Sequence, residues 1–244
     1  MILLLSLALH SGGGKLPTPP DCREAITRAY HELATAIAPT QRRVLHLRFQ
    51  TTTTFRAPNQ KKEQRAALGG DLYIRGRRLC YKTPDLVVWQ DDKIVCSVLQ
   101  HQRIILLTRI PNPGEVGSLP PMMMVQDSLI RQATVQLCRQ EQVGGQTQQH
   151  VRLGLPPRVA GRTGLQTLDF YLATAPARLQ RVVMAYQPNH KAQQVALTFS
   201  QQEWLATSTE LTGEARSRVL DAQGQLRPAY RGYQLLDQTI ASSR

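Results

Sequence analysis

Acid–base or metal chemistry would have to start from six histidines, and four cysteines are the other reactive candidates. His10, His31, His46, His101, His150 and His190 stand singly, in turns or on strand faces. No H-x-x-x-H spacing occurs, and none reads as paired with a carboxylate. The serines lack a G-x-S-x-G elbow, and no P-loop or dinucleotide-type glycine pattern appears. Cys22, Cys80, Cys96 and Cys138 include no C-x-x-C pair, so no structural zinc site is expected. The reading is a non-enzyme without metal or cofactor, whose chemistry is non-covalent binding.

Charge limits what is bound. The 244 residues carry 30 Lys and Arg against 17 Asp and Glu, a net charge of +13. That balance suits an anionic partner such as nucleic acid, an anionic membrane surface or an acidic protein, and it also suits a solvated basic surface. The cations fall in short clusters, Gln60-Lys61-Lys62 and Arg75-Gly76-Arg77-Arg78. Without a basic helix, zinc knuckle or aromatic RNA-binding signature, nucleic acid is not the expected partner.

The chain opens with an apolar run, Ile2 to Leu9, followed by a Gly- and Pro-rich stretch. The run is too short to cross a bilayer, which takes about 20 residues. It resembles the apolar core of a secretory signal peptide. The charged leader is missing, which points to a start upstream of Met1. Residues 1–20 are read as a signal peptide or remnant plus linker, and residues 21–244 as the folded domain, exported to the periplasm. Export would permit disulfides. Cys80 and Cys96 lie on strands separated by a third and are expected to be free, as small buried hydrophobes.

The elements that must position any site follow. Asp21 and Glu24 form a capping pattern, and Ile26, Ala29, Tyr30, Leu33 and Ile37 recur at helical spacing up to Pro39. Residues 44–49 alternate as a strand. From Gly69 to Ile110 five strand-like runs are joined by turns too short to hold a helix, an antiparallel meander. Apolar residues at Met122, Val125, Leu129, Ala133 and Leu137 predict a helix from about Met123 to Gln140. Strands resume at Val151–Leu155 and near Leu168, and a hairpin turns at Pro188-Asn189-His190-Lys191. No internal repeat is expected. The meander is apolar on both faces in places: Leu86 and Val88 point one way, Val87 and Trp89 the other. A sheet with one wet face should alternate apolar and polar.

This order of elements resembles the LolA-like outer-membrane lipoprotein carriers. The pattern is a first helix, a strand with Phe followed by Gln (Phe49-Gln50), and a strand of the type Gly70-Asp71-Leu72-Tyr73-Ile74. An apolar strand then ends at a turn, here Asp91-Asp92 where Asp-Gly is usual. The late hairpin and the tail Tyr230 to Asp237 complete the likeness, from about Asp21 to Asp237. Val95 and Val98 stand where aromatic residues are usual.

The resemblance implies an α+β domain: one large antiparallel β-sheet curved into an unclosed half-barrel, its concave face covered by helices. It implies a monomeric periplasmic carrier that shields acyl chains of lipids or lipoproteins in an apolar cavity, with inner- and outer-membrane transfer partners. The alternative is a non-catalytic periplasmic β-scaffold at an anionic membrane or cell-envelope surface. The expected cavity wall is Leu72, Ile74, Leu86, Val88, Val98 and Leu107, with Met123, Met124 and Leu129 as its lid.

Overall fold

β-Prone segments joined by tight turns are satisfied by one continuous ladder, and the computed structural model holds one twelve strands wide. The structure describes residues 19–56, 63–110, 127–143, 145–174 and 177–239. Helix α1 spans Pro19–Ile37. Strands β1 (Val44–Phe55), β2 (Gln64–Arg75), β3 (Arg78–Lys82), β4 (Leu86–Gln90), β5 (Ile94–Leu99) and β6 (Ile104–Arg109) follow as a meander. Then come α2 (Asp127–Gln132), β7 (Thr134–Val143), β8 (Gln146–Gly154), α3 (Pro157–Thr163), β9 (Leu165–Thr174), β10 (Ala177–Tyr186), β11 (Ala192–Leu205) and β12 (Gln234–Asp237). The order across the sheet is β12-β6-β5-β4-β3-β2-β1-β11-β10-β9-β8-β7. Every pairing is antiparallel except β12 with β6. The two edges do not meet, so the sheet is an unclosed half-barrel, the expected α+β architecture.

Turn chemistry sets the register. Gly76 takes φ +58° at the β2–β3 turn, a left-handed conformation that favours glycine. Its N–H donates to Ala36 O at 2.8 Å and so ties the turn to the end of α1. At the β4–β5 turn the Asp91 side chain holds the backbone of the turn. Its Oδ1 accepts from the Lys93 and Ile94 N–H groups at 2.8 and 2.9 Å. Its Oδ2 accepts from Ala215 N–H at 2.8 Å. Gly70 is required for a different reason: a Cβ there would run into the backbone oxygen of Lys82 on β3, with Phe49 Cζ 2.9 Å away as well.

The two larger cores lie on opposite faces, and a third small cluster gathers Val44, Cys80 and Leu211. On the inner face, Cys22, Ile26, Ala29, Leu33 and Ala36 of α1 pack on Leu45, Leu47, Phe49, Leu72, Ile74, Val151, Leu153, Phe170 and Val182. On the outer face, Val87, Cys96, Val98, Ile105 and Leu107 pack under Ala215, Val219 and Leu220 of the segment between β11 and β12. The second apolar face of the meander is thus sealed by the chain's own carboxy-terminal segment.

The helix expected from Met123 to Gln140 is a correction. Only Asp127–Gln132 is helical, and Thr134–Val143 is the edge strand β7; residues 123–126 lie outside the described residues. A β-bulge at Gln136 breaks the register between Val135 and Leu137. It disturbs the two-residue alternation that would have marked a strand. Cys138 of this strand bonds Cys22 of α1, 116 residues away. That disulfide was not anticipated. Cys80 and Cys96 are free and buried, on β3 and β5 with β4 between them, as expected.

Candidate functional site

Residues directly opposite in an antiparallel pair share a face. Pairing carries the inner face across three strands in rows: Leu86, Leu99 and Ile104; Val88, Ser97 and Leu106; Gln90, Val95 and Thr108. Leu86, Val88, Val95, Leu99, Ile104 and Leu106 are all only half-buried. None of the six belongs to any of the three buried cores among the described residues. Helix α1 lies over β1, β2, β7, β9 and β10 instead. The result is an apolar strip on the inner face, about 10 Å wide across three strands, left open by α1 and by the buried cores among the described residues. Directly behind it, Val87, Cys96, Val98, Ile105 and Leu107 are 8% exposed or less.

The expected cavity wall divides accordingly. Leu86 and Val88 lie on the open strip. Leu72 and Ile74 share its face but are sealed under α1 with Leu47 and Leu45. Val98 and Leu107 point to the outer face and are fully buried there. Placing them with Leu72 and Val88 is corrected by the hairpin register: Val98 pairs with Val87 and Leu107 with Cys96. Leu129 is half-buried against the α1 core, and Met123 and Met124 lie outside the described residues. Val95, Leu99, Ile104 and Leu106 were missed because each turn exchanges odd and even positions: Gln90 pairs with Val95 and Leu99 with Ile104, so counting in twos straight on from Val88 lands on Val98. Under α1 the packing is close: the gap lined by Ala29, Leu33, Leu45, Leu47, Leu179 and Phe199 measures about 10 Å³, about one water-sized sphere.

The outer face holds a second arrangement, and it corrects the reading of unpaired histidines and of no internal repeat. His46 of β1 is 5% exposed. Its Nε2 lies 2.8 Å from Asp71 Oδ1 on β2, and its Nδ1 lies 3.0 Å from Glu203 Oε1 on β11. Arg48 Nε donates to the same Asp71 oxygen at 3.0 Å, and the ring of Tyr73 stacks on His46 at 4.3 Å. His150 of β8 repeats the pattern. Its Nε2 is 2.6 Å from Asp169 Oδ1 on β9, and its Nδ1 is 3.0 Å from Glu141 Oε1 on β7. Arg152 Nε donates to Asp169 at 2.8 Å, and Tyr171 stacks on His150 at 4.3 Å. The repeated motif is His-x-Arg on one strand and Asp-x-Tyr on the next, visible in the sequence as His46-Leu47-Arg48 with Asp71-Leu72-Tyr73 and as His150-Val151-Arg152 with Asp169-Phe170-Tyr171.

An ionised carboxylate only accepts hydrogen bonds, so both ring nitrogens donate when both flanking acids are ionised. Imidazolium and guanidinium then balance two carboxylates, and three strands are clasped by charge-assisted bonds. Burial pushes the Asp71 carboxyl up, but the bonds from His46 and Arg48 outweigh it and hold Asp71 below its ordinary value. The bond from His150, with help from Arg139, holds Glu141 low as well. Among the described residues each imidazole bonds carboxylates on the two flanking strands, an arrangement suited to holding strands.

No family model matches the chain, and no curated protein matches it. Among solved structures it is similar to an uncharacterized conserved protein from Thermus thermophilus, at 12% identity and a TM-score of 0.44, covering 89% of this chain and 99% of that one. It is similar to LprF from Mycobacterium bovis, at 13% identity and a TM-score of 0.39, covering 82% and 99%. It is also similar to a LolA superfamily protein from Nitrosomonas europaea, at 10% identity and a TM-score of 0.32, covering 78% and 97%.

Proposed function

We propose that this protein carries acyl chains of lipids or lipoproteins on the inner face of β4–β6, in the cell envelope. The observation that carries the reading is the strip of Leu86, Val88, Val95, Leu99, Ile104 and Leu106, half-buried and outside every buried core of the described residues. A contiguous apolar surface that the core does not take up favours a binding site. Each methylene taken out of water onto it contributes about 0.8 kcal/mol, so hydrocarbon is the occupant that gains most from a surface with so few polar side chains. The Cys22–Cys138 disulfide supports an oxidising compartment, in line with a periplasmic location and with residues 1–20 acting as an export signal ahead of a carrier domain from residue 21 onward. Transfer partners at the inner and outer membranes and the delivery of lipoproteins belong to this same reading, drawn from the order of elements along the chain.

Displacement of a fluorescent fatty acid tests it. Val88→Glu and Leu106→Glu put a carboxylate on the open strip, where it opposes hydrocarbon at a cost of several kcal/mol unless it protonates. Both variants should keep the parent's thermal midpoint and lose fatty-acid affinity at least about tenfold, a loss of roughly 1.4 kcal/mol. Undiminished binding in both, or no binding by the parent, sinks the carrier reading and leaves a non-carrier scaffold.

A further inference from the structure

We infer that one end of the sheet is a docking surface for a bilayer rich in anionic phospholipid; this goes beyond acyl binding while resting on the same open strip. The antiparallel meander brings alternate strand ends to one line. Arg42 and Arg43 precede β1, Arg75 ends β2, Arg77 lies in the β2–β3 turn, Lys93 in the β4–β5 turn, and Arg109 ends β6. Pairing of Leu45 with Ile74, Arg75 with Arg78, Leu79 with Gln90 and Ile94 with Arg109 puts all six at the same strand ends. From β1 to β6 the line crosses five strand spacings, roughly 24 Å.

These cations are uncompensated. None of the six forms an ion pair among the described residues. On the outer face the contrast is direct: Arg48, Arg139 and Arg152 are each paired with a carboxylate. The exposed acids near the line are Asp92 and Glu214, since Asp91 is buried and spent on backbone N–H groups. Pro39, Gln41, Arg75, Gly76, Arg77 and Asp92 border an open cleft of about 370 Å³ at its centre, room for a phosphate headgroup.

Two features favour a bilayer over a nucleic acid. Lys93 and Arg109 of the basic line sit at the strand ends of the apolar strip, so a protein docked by the line brings that strip beside the lipids. Trp204 lies under Arg43 at the same end, 5.7 Å from guanidinium carbon to ring centroid, and a half-buried Trp suits the membrane–water interface. Each basic residue held near an anionic leaflet contributes roughly a fivefold gain in binding, and the attraction fades within a Debye length.

Co-sedimentation with vesicles tests the inference, comparing equimolar phosphatidylglycerol and phosphatidylcholine with phosphatidylcholine alone. The parent should bind the anionic vesicles, release them as salt rises, and ignore the neutral ones. The double variant Arg75→Glu, Arg77→Glu should lose roughly 30-fold or more in affinity. Arg158→Glu, Arg162→Glu changes the net charge equally on α3, which follows β8 at the opposite strand ends, and should bind like the parent. Equal losses in the two double variants, no preference for anionic vesicles, or tighter binding to duplex DNA of matched charge overturns the docking surface. Both double variants should retain fatty-acid affinity in detergent-free solution without vesicles. Loss of docking alone therefore leaves the carrier reading standing, and loss of fatty-acid binding alone leaves the docking surface.

Discussion

His46 and His150 hold equivalent places in two three-strand clasps, each imidazole bridging two carboxylates at 2.6–3.0 Å on the outer face of the sheet. Walking across the sheet, Asp71, His46 and Glu203 come in the same order as Asp169, His150 and Glu141. The sheet thus carries the same charged staple on each side of β10. Because His150 and Asp169 are both 4% exposed, removing His150 leaves Asp169 buried with Arg152 as its remaining charged partner. His150→Gln should destabilise the protein by about 2–4 kcal/mol in urea denaturation. His101→Gln removes an ion pair with Asp85 whose side chains are 82% and 56% exposed, and should cost less than about 0.5 kcal/mol. Equal costs would show that the bridged imidazole is no better placed than a surface one.

Acid should loosen the clasps. Asp71 and Glu141 have carboxyls held below their ordinary values in the folded state. Groups shifted in that direction contribute stability above the unfolded value, and the contribution is lost as pH falls through the folded one. Melting temperature should therefore hold from neutrality down to about pH 4 and fall below it. Asp71→Asn should lower the neutral plateau and flatten the acid limb. An unchanged acid limb in that variant removes Asp71 from the account.

The disulfide joins α1 to the sheet edge across 116 residues. A loop of that length is worth about 4–5 kcal/mol by chain entropy alone. Cys22→Ala with Cys138→Ala should lower the urea midpoint accordingly, and reductant should do the same to the parent but not to the variant.

The other two thiols should be silent. Burial pushes Cys80 up to about 12, with Glu210 adding to it, and burial alone pushes Cys96 up to about 12. The thiolate is the reactive form. Neither should label with iodoacetamide at pH 8 in the folded protein, and both should label in urea; mass spectrometry of the two peptides reads the result.

Neighbours on one strand should respond oppositely. Leu107 is fully buried beneath the carboxy-terminal segment, so Leu107→Ala should cost about 2–5 kcal/mol. Leu106, half-buried on the inner strip and outside the described cores, should cost less than about 1 kcal/mol on truncation. Comparable losses would mean that the inner face is as tightly packed as the outer one.

The meander was legible because its turns are short and chemically marked: Gly76, Asp91 and the His101 turn leave little freedom in register. Helix α1 and the β10–β11 hairpin were legible for similar reasons. Strand β7 was not, because the bulge at Gln136 interrupts its alternation and Ala133 and Leu137 fall four apart. The facing of Val98 and Leu107 was lost because both faces of the meander are apolar, and a one-residue slip exchanges them. What covers the outer face is a segment of short turns and single bridges, with no periodicity to announce it. The histidine pairs were hidden by distance, since His46 finds Asp71 25 residues on and Glu203 157 residues on. The doubled His-x-Arg and Asp-x-Tyr motifs were nonetheless there to be read, and comparing strands against one another would have found them.

The pairing of β1 with β11 sets a timetable. His46 and Glu203 stand opposite each other although 157 residues separate them. During synthesis or export β1 emerges early, pairs with β2, and then presents a bare edge until nearly the whole chain has followed. Contacts so distant in sequence form slowly, and an unpaired strand edge is a template for the wrong partner in the meantime. Thr51 to Thr54 run along the later half of that edge, a stretch polar enough to stay wetted while it waits. The apolar Leu45, Leu47 and Phe49 of the earlier half meet α1, which is already made. The first helix therefore covers the apolar face of the strand that waits longest for its neighbour, while its hydrogen-bonding edge stays bare until β11 arrives.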